Sequence, residues 1–344
     1  MVTENAEVKN IITVGASAGG LEAITRLVKT FNRDMDAAIF IVLHLSTVSK
    51  SDVIIDIIRK NTFLSCVIPT DQQEIENRTI YLAPTDHHLL LEKGHIRITK
   101  GATENRYRPS IDVLFRSAAT AYSGCVTGII LTGLLDDGTS GMNAIKRCGG
   151  RCIVQDPEEA AFPDMPVSVL NNITVDYSVP ITDMGAILSD LYSRSVCQQQ
   201  EVPAEVRLEA DIARRVTSNI EDIAQLGDFT PLTCPECGGV MVKVESEPRY
   251  RCYTGHAFTE KFLETEQLKR IEESLWVSIR MMEERKNLLL NMQSDSHLES
   301  DREIRRRDER IDNMQLHIIT LRSTLLGMDT NDGPNHPDKN GVNV

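Results

Sequence analysis

The chain has 344 residues, with 50 acidic against 37 basic side chains and a formal net charge of -13. Its 41% hydrophobic and 25% charged residues match an ordinary folded protein of one large domain or two to three smaller ones, which excludes wholesale disorder. The longest apolar run, Ala37 to Leu43, is too short to span a bilayer, Met1 to Asn10 has no signal-peptide pattern, and the acidic balance argues against a general nucleic-acid binder.

From about residue 9 to residue 190, short β-rich runs alternate with helical patterns. The runs are Ile11 to Val14, Ala38 to Leu43, Thr79 to Ala83, Gly128 to Thr132, Cys152 to Gln155 and Thr174 to Tyr177. Several are apolar on successive residues, which suits strands covered on both faces. Amphipathic stretches such as Leu21 to Phe31, Ser51 to Lys60 and Ile111 to Ala121 lie between them. The alternation predicts an α/β fold with a doubly wound, mostly parallel, Rossmann-like sheet over 9–192.

The first strand runs into Gly15-Ala16-Ser17-Ala18-Gly19-Gly20 just before a helical pattern. A hydroxyl on such a turn lies beside the unpaired N–H groups of a helix start, which suits a nucleophile next to oxyanion donors. A glycine-rich phosphate-binding turn is the competing reading. The second strand ends at His44, and the strand at Gly128 to Thr132 leads into Gly133-Leu134-Leu135-Asp136-Asp137-Gly138. In a parallel sheet the carboxyl ends of the strands share one edge, where ligands bind. Ser17, His44 and an aspartate therefore converge there as a nucleophile, a base and a group that orients the base. His87 and His88 compete for the base, and Asp136 with Asp137 for the third role. The order Ser, His, Asp disfavours the α/β-hydrolases, which run Ser, Asp, His.

Residues 193–229 are polar, helix-compatible and read as a linker. The segment 230–258 carries Cys234-Pro-Glu-Cys237 and Cys252-Tyr-Thr-Gly-His256, separated by a predicted hairpin of Val240 to Val244 and Arg249 to Cys252. Two ligand pairs on adjacent turns can close a tetrahedral Cys3His site, so a zinc-ribbon-like module with structural zinc is expected. The other five of the eight cysteines read as small buried hydrophobes in a reducing cytosol. Over 259–326, Leu268, Ile271, Leu275, Ile279, Met282 and Leu289 form one stripe. Ile304, Ile311, Met314, Ile318, Leu321 and Leu325 form a heptad seam, so a helical hairpin is expected. Residues 327–344 are expected to be a disordered tail.

Several of these segments together resemble the catalytic domain of the chemotaxis protein-glutamate methylesterase (CheB) family. They are Val14 to Gly20, Val42-Leu43-His44, Leu82-Ala83-Pro84, Arg108 to Phe115, Leu131-Thr132-Gly133 with Asp137-Gly138, and Phe162 to Pro166, in order across roughly 9–190. The resemblance puts the family's serine, histidine and aspartate on Ser17, His44 and Asp137. It implies hydrolysis of γ-glutamyl methyl esters on chemoreceptor helices in the cytoplasm, and deamidation of receptor glutamines, with no cofactor for catalysis. Where the family commonly has Thr after the nucleophile, this chain has Ala18. The N–H groups of Ala18 and Leu134 remain as oxyanion donors. The resemblance begins at about residue 9, so no attached receiver domain is expected to regulate the enzyme. An acidic receptor helix meeting an acidic protein needs a local basic rim, for which Arg106, Arg108 and Arg116 are the candidates. The C-terminal module is expected to couple the esterase to a signalling partner, and no nucleic acid or membrane insertion is implied. The alternative is a catalytically silent adaptor that keeps the esterase fold.

Overall fold

The structure is a computed structural model, and it describes residues 9–44, 51–194, 197–215, 219–294 and 300–328. Its centre is a seven-stranded sheet. In chain order the strands are β1 (Ile11–Ala16), β2 (Ala38–Leu43), β3 (Ser65–Val67), β4 (Thr79–Leu82), β7 (Val126–Ile130), β8 (Arg151–Gln155) and β9 (Tyr177–Val179). Their spatial order is β3-β4-β2-β1-β7-β8-β9, and every pairing is parallel. The hairpin β5 (His88–Glu92) and β6 (His95–Thr99) stands apart as a two-stranded sheet. β3 and this hairpin have no counterpart among the predicted strands, and β9 begins three residues later than predicted.

All six residues of β1 and all six of β2 are buried. Successive side chains enter opposite faces, as strand geometry requires. Ile12, Val14, Ile39 and Ile41 join a core with helix α1 (Gly20–Lys29), α2 (Ser51–Arg59) and α6 (Ile181–Arg194). Ile11, Phe40 and Val42 join a core with α3 (Ile111–Tyr122), α4 (Thr139–Arg147) and α5 (Asp164–Asn172). The chain leaves β1 toward β2 on one side, while β7 lies on the other. The crevice at the carboxyl end of β1 is therefore a topological switch point, where doubly wound sheets bind ligands.

The segment read as a linker contains α7 (Ala204–Arg215) and α8 (Ile220–Ala224). Val206, Glu209, Ala210 and Ile212 of α7 are buried, and α7 packs on α3. Its polar composition concealed this, because one of its buried residues is an acid that meets arginines. A four-stranded antiparallel sheet follows, in the order β10 (Gly227–Thr233), β11 (Val240–Val244), β12 (Arg249–Cys252), β13 (Ala257–Thr259). All of this lies in one compact unit, Met1–Phe262.

This sheet is fastened to the rest of that unit by a buried charge cluster. Arg116 of α3 reaches Glu104 at 3.2 Å and Glu209 of α7 at 3.5 Å. Arg249 and Arg251 of β12 meet the same two carboxylates, and Arg249 also pairs with Glu247 at 2.8 Å. Three cations thus face three anions. Burial opposes charge on Glu104, but Arg116, Arg251 and Arg249 overcome it and hold its carboxyl below the ordinary range. Burial likewise opposes charge on Glu209, and Arg249, Arg116 and Arg251 bring it to about 2.

The second unit, Leu263–Val344, contains the long helix α9 (Glu260–Ser294) over most of its length and α10 (Asp301–Met328). Leu275, Ile279 and Met282 of α9 pack with Met314, Ile318, Leu321 and Leu325 of α10. Leu268, Ile271 and Ile304, predicted in the same stripes, are instead exposed. The expected tail falls outside the described residues from 329 onward, and most of the expected turn between the helices lies outside them too. Cys125 and Cys197, expected as free thiols, are paired in a disulfide with Cα atoms 4.9 Å apart. A separation of 72 residues hid that proximity from the sequence. Cys66, Cys148 and Cys152 are buried and free. Among the described residues no helix is long and apolar enough to cross a membrane.

Candidate functional site

Backbone bonds beyond the strand ends place the three predicted side chains. The N–H of Ser17 donates to the Thr132 carbonyl at 3.0 Å, tying the turn after β1 to the end of β7. The N–H of His44 donates to the Ala16 carbonyl at 3.1 Å, which extends the β1–β2 ladder by one step. Gly19 follows with φ 72°, a left-handed turn that glycine adopts without steric cost, and α1 starts at once. A Cβ on Gly133 would lie 2.8 Å from the Ser17 Cβ and 2.1 Å from the Met165 sulfur, so only glycine fits beside the hydroxyl.

His44 Nδ1 lies 3.2 Å from Ser17 Oγ, and His44 Nε2 lies 2.9 Å from Asp137 Oδ2. With Nε2 carrying the proton and donating to the carboxylate, Nδ1 is left to accept from the hydroxyl. Asp137 is buried and accepts further bonds from the N–H of Ile111 at 2.7 Å, Ser110 Oγ at 3.0 Å and Asn105 Nδ2 at 3.2 Å. Burial opposes its charge; the bond and charge of His44, then Ile111 and Asn105, outweigh it and hold the carboxyl below its ordinary value. Its neighbour Asp112 is driven the other way, upward, by burial and then by the charge of Asp137. Asp112 accepts from the N–H groups of Gly138 and Gly141 at the start of α4.

The competing residues lie elsewhere. His88 is buried, with Nε2 donating to the Ala102 carbonyl at 2.9 Å and Nδ1 accepting from the Ser110 N–H at 3.3 Å. Burial pushes its pKa down, so it is a neutral structural imidazole. His87 bonds to the Thr85 carbonyl. Asp136, whose pKa burial pushes up, makes no hydrogen bond to His44 among the described residues. The N–H groups of Ala18 and Leu134 carry no hydrogen bond among the described residues.

The three arginines assigned to a docking rim separate. Arg116 is only 2% exposed and belongs to the buried charge cluster, so it is no part of a rim. Its helix is apolar nearly all round, a pattern that marks a buried helix and could have warned of this. Arg108 clasps Asp86 through Nε and Nη2 and donates to the Gly101 carbonyl. Arg106 is exposed.

Sequence reasoning missed two residues of the same loop. The ring of Tyr107 lies flat on His44, with centroids 3.5 Å apart and planes within 7°. Burial pushes the pKa of its hydroxyl up, with the nearby Asp137 charge adding to the effect. Asn105 Nδ2 bridges Asp137 and Asp112 at 3.2 and 3.1 Å. Both lie just before the Arg108 to Phe115 motif, which was their only signal in the sequence.

Cys234, Cys237, Cys252 and His256 come together, with ligand atoms all within 4.8 Å of one another. Cys237 Sγ and Cys252 Sγ are 3.7 Å apart, and His256 Nδ1 is 3.7 Å from Cys234 Sγ and 3.5 Å from Cys252 Sγ. Four ligands about 2.3 Å from a tetrahedral ion stand roughly 3.8 Å apart, so this donor set fits zinc. The free His256 Nε2 faces Glu236 at 3.2 Å, as the outer ring nitrogen of a ligating histidine commonly faces a carboxylate.

The CheB methylesterase family profile matches residues 12–188. A Leptospira interrogans protein, provisionally named a protein-glutamate methylesterase/protein-glutamine glutaminase, is 33% identical over 189 residues, covering 55% of this chain and 97% of that protein. A Trichodesmium erythraeum protein-glutamate methylesterase/protein-glutamine glutaminase is 32% identical over 183 residues, and the chain spans about half of that longer relative, 51%. The crystal structure of the Thermotoga maritima CheB methylesterase catalytic domain superposes with a TM-score of 0.50 at 28% identity, covering 53% of this chain and 98% of that domain. With the same fold, and a family profile matched across the whole parallel sheet, the chain belongs to the CheB methylesterase family.

Proposed function

We propose that the chain hydrolyses γ-glutamyl methyl esters on chemoreceptor helices, and glutamine amides in the same way, through Ser17, His44 and Asp137. The observation that carries the reading is the unbroken relay from Ser17 Oγ through His44 to Asp137, at 3.2 and 2.9 Å. Ser17 Oγ attacks the ester carbon while His44 Nδ1 takes its proton. The oxyanion is met by the N–H groups of Ala18 and Leu134. His44 then gives the proton to the departing methoxide, and methanol leaves a glutamyl ester on Ser17. Water attacks that ester with His44 again as base, and returns the serine and a free glutamate. With an amide substrate, ammonia leaves in place of methanol.

The same proposal gives the Cys3His cluster to zinc. Zinc there would fix the two knuckles and add folding energy to a small sheet. The docking rim reduces to Arg106, since Arg108 holds its own loop.

The test is methanol release from methylated receptor helices by the intact, zinc-loaded chain. Turnover is expected, with a KM that rises in a salt-sensitive way on Arg106→Glu. Absence of methanol and ammonia release from folded protein would instead favour the silent adaptor.

A further inference from the structure

The strand that leaves the Cys3His cluster is β13, and it runs beside the loop 104–107. The Ala257 carbonyl accepts from the N–H of Asn105 at 2.8 Å, and the Thr259 N–H donates to Asn105 Oδ1 at 3.3 Å. Glu104 forms a parallel bridge with Ala257. Phe262, three residues past Thr259, meets the Tyr107 ring edge-on at 6.4 Å. Asn105 has φ 49° and Arg106 φ 69°, a left-handed pair of residues that costs energy without glycine and needs outside contacts to persist. The β13 strand supplies those contacts. From this loop Asn105 reaches Asp137 and Tyr107 covers His44, so the metal knuckle lies one strand away from the triad. His256 is the residue immediately before β13.

We propose that the metal-binding sheet is a positioning element of the active site: its strand β13 holds Asn105, and Phe262, just past β13 in α9, meets Tyr107, so that the pair in turn fixes Asp137 and His44. This rests on the esterase reading of the triad. Asn105 and Tyr107 are positioning residues, because their effect on the ester passes through the aspartate and the imidazole. The oxygen of Asn105 is engaged by β13, which leaves its amide to point both N–H groups at the two carboxylates. Without that bond the amide is free to turn, and Asp137 loses one of its donors. Zinc binding thereby determines how well the base is aimed, in a chain whose zinc site lies outside the matched family domain.

The experiment compares wild type, Asn105→Ala and Cys237→Ser as full chains, with zinc content, thermal melting and two functional readouts. The first readout is the downfield proton resonance of His44 Nε2, bonded to Asp137, recorded on the resting protein. The second is the split between kcat and KM for methanol release. Asn105→Ala should weaken or shift the resonance and lower kcat by about 10- to 100-fold with little change in KM, while zinc stays at one per chain. Chelation of zinc from wild type should do the same, and added zinc should restore it. Chelation should add less in the Asn105→Ala background than in wild type, since the Asn105 side-chain contact is already gone while the Asn105 N–H and Tyr107 contacts remain. If Cys237→Ser does not fold, the chelation series carries the comparison. A resonance and kcat unchanged by zinc removal would overturn the proposal. So would a rise in kcat, which would make the sheet a cover rather than a support. Because the resonance needs no turnover, a wild type that shows it but releases no methanol would contradict the esterase reading alone.

Discussion

Ser17→Ala is expected to lower methanol release by about 10⁴-fold or more, with the fold and zinc content unchanged. The hydroxyl is on a partly exposed turn, and its loss removes the attacking atom while leaving the backbone bonds that shape the turn. Asp137→Asn should cost about 10⁴-fold as well, for a different reason. The carboxylate accepts the His44 Nε2 proton; an amide placed there can present its own N–H instead and favour the wrong tautomer, with Nδ1 protonated and unable to take the serine proton. The combined variant should be little worse than either alone, because the two residues act as a unit. The kinetics of the three variants on one methylated helix check this, and additive losses would speak against a shared relay.

Glu104→Ala is expected to destabilise the compact unit by about 3–5 kcal/mol. The change removes one of three anions from a site that buries Arg116, Arg249 and Arg251, and leaves cationic charge without a partner. In thermal melting, for a unit of this size, that is a fall of roughly 10 °C. Acid should act on the same contacts. Glu104 and Glu209 have folded pKa values depressed below the unfolded carboxyl value of 4.5, Glu209 to about 2. A depressed carboxyl contributes stability that is fully present above the unfolded value and is lost as pH falls through the folded one. Stability should therefore decline from about pH 4.5 toward pH 2, and less steeply in Glu104→Ala, which already lacks one of the two groups. Denaturant unfolding at several pH values measures both effects, and an equal slope in both proteins would contradict the assignment.

The sheet and the meeting of Ser17, His44 and an aspartate at its edge were legible for a common reason. Residues such as Ile11 to Val14 and Ala38 to Leu43 are apolar without a break because parallel strands are covered on both faces. The ends of such strands then locate Ser17, His44 and the aspartate pair with no further information. The resemblance separated Asp137 from Asp136, and the structure shows what spacing could not, namely which carboxylate reaches the imidazole. The Cys3His cluster was equally legible, because its residues pair locally in sequence. What escaped depends on distant partners. Arg116 read as a surface charge because arginine is seldom buried, and its anions lie on a loop and on a helix 93 residues further along. Glu209 made α7 look like a polar linker for the same reason. Asn105 and Tyr107 sit in a loop with no periodicity, and the bonds that Asn105 makes to β13 join residues some 150 positions apart.

Covalent labelling with a fluorophosphonate asks whether Ser17 is the nucleophile of a working relay. Fluorophosphonates transfer their phosphorus to an activated serine with loss of fluoride. Intact mass and peptide mapping should find one adduct per chain, on Ser17, in the wild type. Ser17→Ala should take up none, and His44→Ala should react far more slowly, since its serine has lost the base that removes the proton. No adduct on Ser17 in a wild type that releases methanol would rule out Ser17 as the nucleophile, and equal labelling of wild type and His44→Ala would rule out His44 as its base.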